Sequence, residues 1–209
     1  MGIATYKSSN RKTGNMIQTW IQRSHIDPVR AVSTGRDRSI CGNCYHRGDA
    51  NRPRTCYVNV GQAPYSIYNA AKRGVYPSGS LAELPAGRPV RFGAYGDPVA
   101  IPFHVWQQAK LPAKWTGYTH QWRQDYAQPF KKLLMASCDS PADMAEAASM
   151  GWRAFVVTAH DFDGKVSDAI LCPSVSHGVQ CADCGLCRGA SVSAPSVYIP
   201  AHGTAKAFV

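Results

Sequence analysis

Eight cysteines in 209 residues, seven of them in two spaced groups, constrain this chain more than any other feature. Cys41, Cys44 and Cys56 read C-x2-C-x11-C, and Cys172, Cys181, Cys184 and Cys187 read C-x8-C-x2-C-x2-C. Cys138 stands alone. The opening stretch MGIATYKSSNRKTGN lacks the apolar core of a secretory signal, so the chain is expected to stay in the cytoplasm. Thiols are kept reduced there, and grouped cysteines then serve metals or redox chemistry rather than disulfides.

A C-x2-C step lets two thiolates converge on one centre, and the small residues inside CGNC and CADC leave backbone amides free to face the sulfurs. Zinc sites usually take two cysteines from one knuckle and two from a distant one. The run CADCGLC instead offers three thiolates in seven residues, which suits a corner of a cubane cluster with a fourth ligand from elsewhere. The spacing therefore favours iron–sulfur, as one or two [4Fe-4S] clusters, with zinc as the alternative. Two partitions fit. Cys172 completes the carboxy-terminal group, leaving Cys41, Cys44 and Cys56 as a site with an open position, or it supplies the fourth ligand of the amino-terminal set. Cys138, in LLMASCDS, reads as a small hydrophobe at a strand end.

Length, together with 44% hydrophobic and 17% charged residues, predicts a single folded domain over 1–209. No run of eighteen apolar residues offers a membrane span, and no membrane partner is expected. The net charge of +10 raises nucleic acid as a partner. Its basic residues never form a block, although Arg11, Lys12, Arg23, Arg30, Arg36 and Arg38 make residues 1–54, which also carry the first CxxC, a basic amino-terminal segment.

Short β-rich runs alternate with helical stretches, which predicts an α/β fold with mostly parallel strands. Strands are expected at 55–60, 89–95, 114–119, 132–137, 153–159, 168–173 and 196–201, with an earlier one at 29–34. Helices are expected from Gln62 to Arg73, burying Ile67 and Ala71, and after the N-cap Ser140, with Met144, Ala147 and Ala148 on one face and Gly151 as the stop. Residues 77–89 read as a Pro- and Gly-rich loop, and 174–194 as an irregular metal-organised one.

Polar residues gather where these strands stop, and in parallel α/β folds the carboxyl ends of strands form the ligand face. Asp97, His120 and His202 are the candidate catalytic groups on that rim, although Asp97 before Pro98 is an equally good helix cap. Tyr118, Thr119 and Ser137 are the candidate cofactor contacts, and Tyr118 and Trp115 are also natural core residues. His25, His46, His104 and His177 read as surface or loop residues.

The stretches STGRDRSICGNCYHR, FGAYGDPVAIPFHVW, KWTGYTHQWR, QCADCGLCRG and IPAHG resemble a cysteine-rich protein family carried by bacteriophages and bacterial mobile elements. The early cysteine cluster, followed by a strand closing in Gly-Asp-Pro, is distantly similar to radical S-adenosylmethionine enzymes and their degenerate phage relatives. That resemblance implies a small or incomplete (β/α) barrel with a [4Fe-4S] cluster at its mouth and S-adenosylmethionine as a second cofactor. It also implies an auxiliary cluster on Cys172, Cys181, Cys184 and Cys187. The spacing departs from the C-x3-C-x2-C of that group. The alternative expectation is a zinc- or cluster-stabilised interaction module that binds nucleic acid or a host protein.

Overall fold

The computed structural model describes residues 1–76, 78–109 and 114–202. Pro77, in the expected 77–89 loop, and Gly203, next to His202, lie outside the described residues. In chain order the elements are β1 (Gly2–Thr5), β2 (Ile17–Ile21), α1 (Pro28–Ser33), α2 (Arg38–Cys41), α3 (Ala63–Lys72), β3 (Val90–Tyr95), α4 (Phe103–Gln107) and β4 (Trp115–Thr119). There follow β5 (Met135–Cys138), α5 (Pro141–Ser149), β6 (Ala154–Thr158), β7 (Ala169–Leu171), α6 (Pro173–Ser176), α7 (Cys181–Cys184) and β8 (Ser196–Pro200).

The eight strands form one open sheet in the order β1-β2-β3-β4-β5-β6-β8-β7. Only β1 is antiparallel to its neighbour, so β2 through β8 all point the same way. Successive side chains on a strand face opposite sides, and this period of two divides the sheet's residues between two environments. Val90, Phe92, Trp115, Leu134, Ala136, Ala154, Val156 and Tyr198 join one core with Trp106 of α4 and Met144 and Ala147 of α5. From the alternate positions, Arg91, Gly93, Thr116, Tyr118, Ser137, Phe155, Val157, Val197 and Ile199 line a cavity on the other face.

The strands expected at 89–95, 114–119, 153–159 and 196–201 are present within a residue or two, and that at 132–137 has shifted to begin at Met135. Residues 29–34 are helical rather than extended. Asp27 accepts a hydrogen bond from the Arg30 amide at 2.9 Å and Pro28 follows it, so capping outweighs the β preference of Val29 and Val32. Residues 55–60 form no strand. The Thr55 and Cys56 amides donate to the His46 carbonyl at 3.1 and 2.9 Å, which ties this segment to the cysteine loop instead of the sheet. The strand that leads into β3 is β2, inside the segment read as basic. Helix α3 buries Pro64 and Tyr68 while Ile67 and Ala71 are half-buried, and Ala148 of α5 is exposed. Ser140 caps α5 by accepting from the Asp143 amide at 3.0 Å.

Among the described residues, no helix is long and apolar enough to cross a membrane.

Candidate metal and ligand site at the strand ends

The parallel direction of β2 to β8 puts every carboxyl end on one side, and the loops that leave those ends enclose the cavity, of about 490 Å³. All seven patterned cysteines line it. So do Asp97, His120, His202, Tyr118 and Ser137. Strand polarity brings Asp97, His120, Cys172 and His202 to one rim, while residues 181–187 cross the sheet face and are held by Lys12, Thr13 and Arg153 at the opposite, amino ends of the strands.

The amino-terminal cysteines are placed by backbone bonds. The amide of Asp97, after β3, donates to the Ile40 carbonyl at 2.7 Å and fixes α2 against the sheet end. Gln121, just beyond β4, donates from Nε2 to the Cys41 carbonyl at 3.1 Å and accepts from the Asn43 amide at 3.2 Å. A Cβ on Gly42 would lie 2.4 Å from that Gln121 side chain, so glycine lets the knuckle close on it. The His46 carbonyl then holds Cys56 on the same loop as Cys41 and Cys44. Beneath the loop, buried Asp37 pairs with Arg47 at 2.6 Å.

The carboxy-terminal cysteines are placed by hydrogen bonds from distant parts of the chain. The Cys172 amide donates to the Tyr198 carbonyl at 2.9 Å, and the Cys181 and Ala182 amides donate to the Lys12 and Thr13 carbonyls. The Arg153 guanidinium donates to the carbonyls of Leu186, Gly189, Ala194 and Pro195 at 2.6–2.9 Å. The stretch 174–194 thus contains α7 and a 3-10 turn at Gly189–Ser191, anchored by one arginine from the start of β6.

Four of the patterned thiols are pushed up by burial, two in each group. Burial pushes Cys44 up to about 12, and the charge of Cys56 adds to it. Cys41 is raised further, by burial first and then by Asp37, Cys56 and Cys44. Burial pushes Cys187 up to about 12. Tyr118 opposes that shift, and the charges of Cys181, Cys172 and Cys184 add to it. Cys181 is raised by burial and by Cys172. Cys172 packs in the same buried cluster as Cys187. All eight cysteines are free thiols. Among the described residues, no three cysteine sulfurs lie within 4.8 Å of one another, whereas the ligand atoms of His46, His120 and Asp139 do.

The other candidates divide. Asp97 borders the cavity, but its carboxylate is fully engaged: Oδ1 accepts from the Val99 amide, and Oδ2 from the Thr119 hydroxyl and the His120 amide, each at 3.0 Å. Burial still pushes it up to about 6 against those three bonds. His120 is lowered to about 4 by burial, which leaves a neutral imidazole on the cavity wall. His202 lies at the mouth, 3.1 Å from the Lys12 ammonium and stacked beside Tyr57. Thr119 does not face the cavity. It follows Tyr118 on β4 and points into the core, where its hydroxyl also accepts from the Gln121 amide. Trp115 and Cys138 are core residues. Among the histidines read as surface residues, His25, His104 and His177 are exposed. His46 is not: it lines the cavity, bonded to Thr55 at 2.6 Å and Asp139 at 2.9 Å. Its place beside Cys44 was the available signal, but its partner Asp139 lies far away in sequence.

Comparison of the chain with protein-family models, curated proteins and solved structures finds no match.

Proposed function

We propose that the chain is an iron–sulfur protein of redox or radical type, built as an incomplete (β/α) barrel with the strand-end cavity as its reaction chamber. The observation that carries this reading is that seven free cysteines, drawn from two distant parts of the chain, line one cavity. Burial, and then neighbouring thiolate charge, raises Cys41, Cys44, Cys181 and Cys187, so these thiols stay protonated unless a positive centre displaces the protons, which is the donor chemistry that metal sites use.

Cys172, Cys181, Cys184 and Cys187 form one ligand set, and Cys41, Cys44 and Cys56 form a second with a position left for a further ligand. A zinc ion holds four sulfurs at about 2.3 Å, so they lie about 4 Å apart. The CADCGLC run, three thiolates in seven residues, suits the corner of a cluster better than that arrangement. Bound there, iron–sulfur groups supply one-electron transfer, with potentials tuned by hydrogen bonds and burial. S-adenosylmethionine is the cofactor proposed for the open side of the three-cysteine set. The chain's own residues define the chamber around it: Tyr118, Phe155 and Val157 exclude water from one wall, Asp97 fixes the β3–β4 rim, and Ser137 and His202 offer polar contacts to a small ligand. The volume lies in the range of small-molecule sites.

Anaerobic purification with iron and acid-labile sulfide analysis tests the reading. Brown protein with both elements is expected. Stoichiometric zinc with negligible iron after anaerobic reconstitution refutes it.

A further inference from the structure

Apart from the cysteines, the cavity wall brings together a different donor set. His46 and His120 line the wall, Asp139 follows β5 beside them, and one ligand atom from each lies within 4.8 Å of the other two. His46 Nε2 and Asp139 Oδ1 are 2.9 Å apart. Two donors each about 2.1 Å from one ion and at right angles are about 3.0 Å apart, so this pair already has the spacing of neighbouring ligands. His46 is oriented from behind by the Thr55 hydroxyl on Nδ1 at 2.6 Å. A hydroxyl can donate or accept, so Thr55 tolerates the tautomer that turns the Nε2 lone pair outward.

His120 is placed by its backbone, because its amide donates to Asp97. Its ring meets that of His46 edge-on at 5.6 Å and has no hydrogen-bond partner among the described residues. The ring borders the cavity, so its nitrogens are open to a ligand bound there.

We infer that His46, His120 and Asp139 form a mononuclear site for a divalent transition-metal ion. Two imidazoles and one carboxylate on a single face leave the ion's remaining positions to water or a ligand, and first-row divalent metals use this set. The inference does not depend on the cysteines holding iron–sulfur. The competing account is an ion pair between His46 and Asp139 that merely fastens the 41–56 loop to the end of the sheet.

Titration of anaerobic apo-protein with Co(II) separates the two. Visible d–d absorption reports all bound cobalt, and the near-ultraviolet sulfur-to-cobalt band reports only thiolate-held ions. Wild type should take up one equivalent more than Asp139→Asn and His120→Gln, or hold it at least about tenfold more tightly, with the sulfur band equal in all three. Asp139 is exposed and asparagine keeps an acceptor there, so that variant decides the matter even if His120→Gln folds poorly. Equal uptake and affinity in wild type and Asp139→Asn overturns the inference. Loss of sulfur-band intensity along with the missing equivalent also overturns it, because the ion was then held by cysteine. Iron and sulfide content, measured separately, reports on the cluster reading, so either reading can fail alone.

Discussion

Replacing Asp97 by alanine strips partners from three donors at once: the Val99 amide, the His120 amide and the Thr119 hydroxyl. An unpaired buried donor costs about 1–3 kcal/mol. The Thr119 hydroxyl can turn to another partner and the cavity admits water beside His120, so the expected loss is about 2–4 kcal/mol rather than the full sum. With a urea m-value of about 2 kcal/mol/M the unfolding midpoint should fall by about 1–2 M. The pH dependence carries a definite sign. Burial raises the Asp97 carboxyl in the folded state to about 6, so the folded chain binds its proton more tightly than the unfolded chain does. That contribution is complete below the unfolded value of about 3.9 and is lost as pH rises through about 6. The gap between wild type and Asp97→Ala should therefore be wider at about pH 5 than at about pH 7.5. Tryptophan fluorescence of the apo-protein in urea at both pH values measures it. A midpoint unchanged at pH 5, or a gap that widens with pH, refutes the assignment of Asp97 as a buried bracing group.

Serine at Cys184 should remove metal from the carboxy-terminal set and expose residues 174–194 to protease. The loss of melting temperature should be partial, because the four Arg153 bonds remain. Metal loss with unchanged protease cleavage and melting temperature contradicts a structural role for that centre. Alanine at Gly96 places a Cβ 2.5 Å from the Ile21 carbonyl at a residue whose φ is +77°. It should lower stability by about 2 kcal/mol or more, and an unshifted urea midpoint contradicts that.

The strands of the parallel sheet were legible where apolar runs end in polar residues, and β3, β4, β6 and β8 stand close to their expected bounds. The two amino-terminal strands were not. IQTWI is short and sits among basic residues, and the pairing of β2 with β3 is set by contacts some seventy residues apart. TCYVNV has the composition of a strand, but its amides found a nearer acceptor in His46. For the site, strand polarity sufficed to gather Asp97, His120, Cys172 and His202. Face was harder: Tyr118 and Thr119 are consecutive on β4, so only one of them can look into the cavity. The role of His46 depended on Thr55 and Asp139, partners that no local pattern discloses.

The order in which strands enter the sheet bears on biosynthesis. β7 has a single sheet neighbour, β8, which follows it in the chain and lies between it and β6. While the ribosome is still making β8, β7 has no edge to join, and Cys172, whose amide is fixed by Tyr198 of β8, has no defined position. The amino-terminal cysteines sit over β3 and β4 and can be arranged well before that point. Maturation should therefore run in sequence, with the amino-terminal thiols competent first. The carboxy-terminal set becomes competent only after β8 has emerged, so a nascent chain stalled before residue 196 should be unable to retain a metal there.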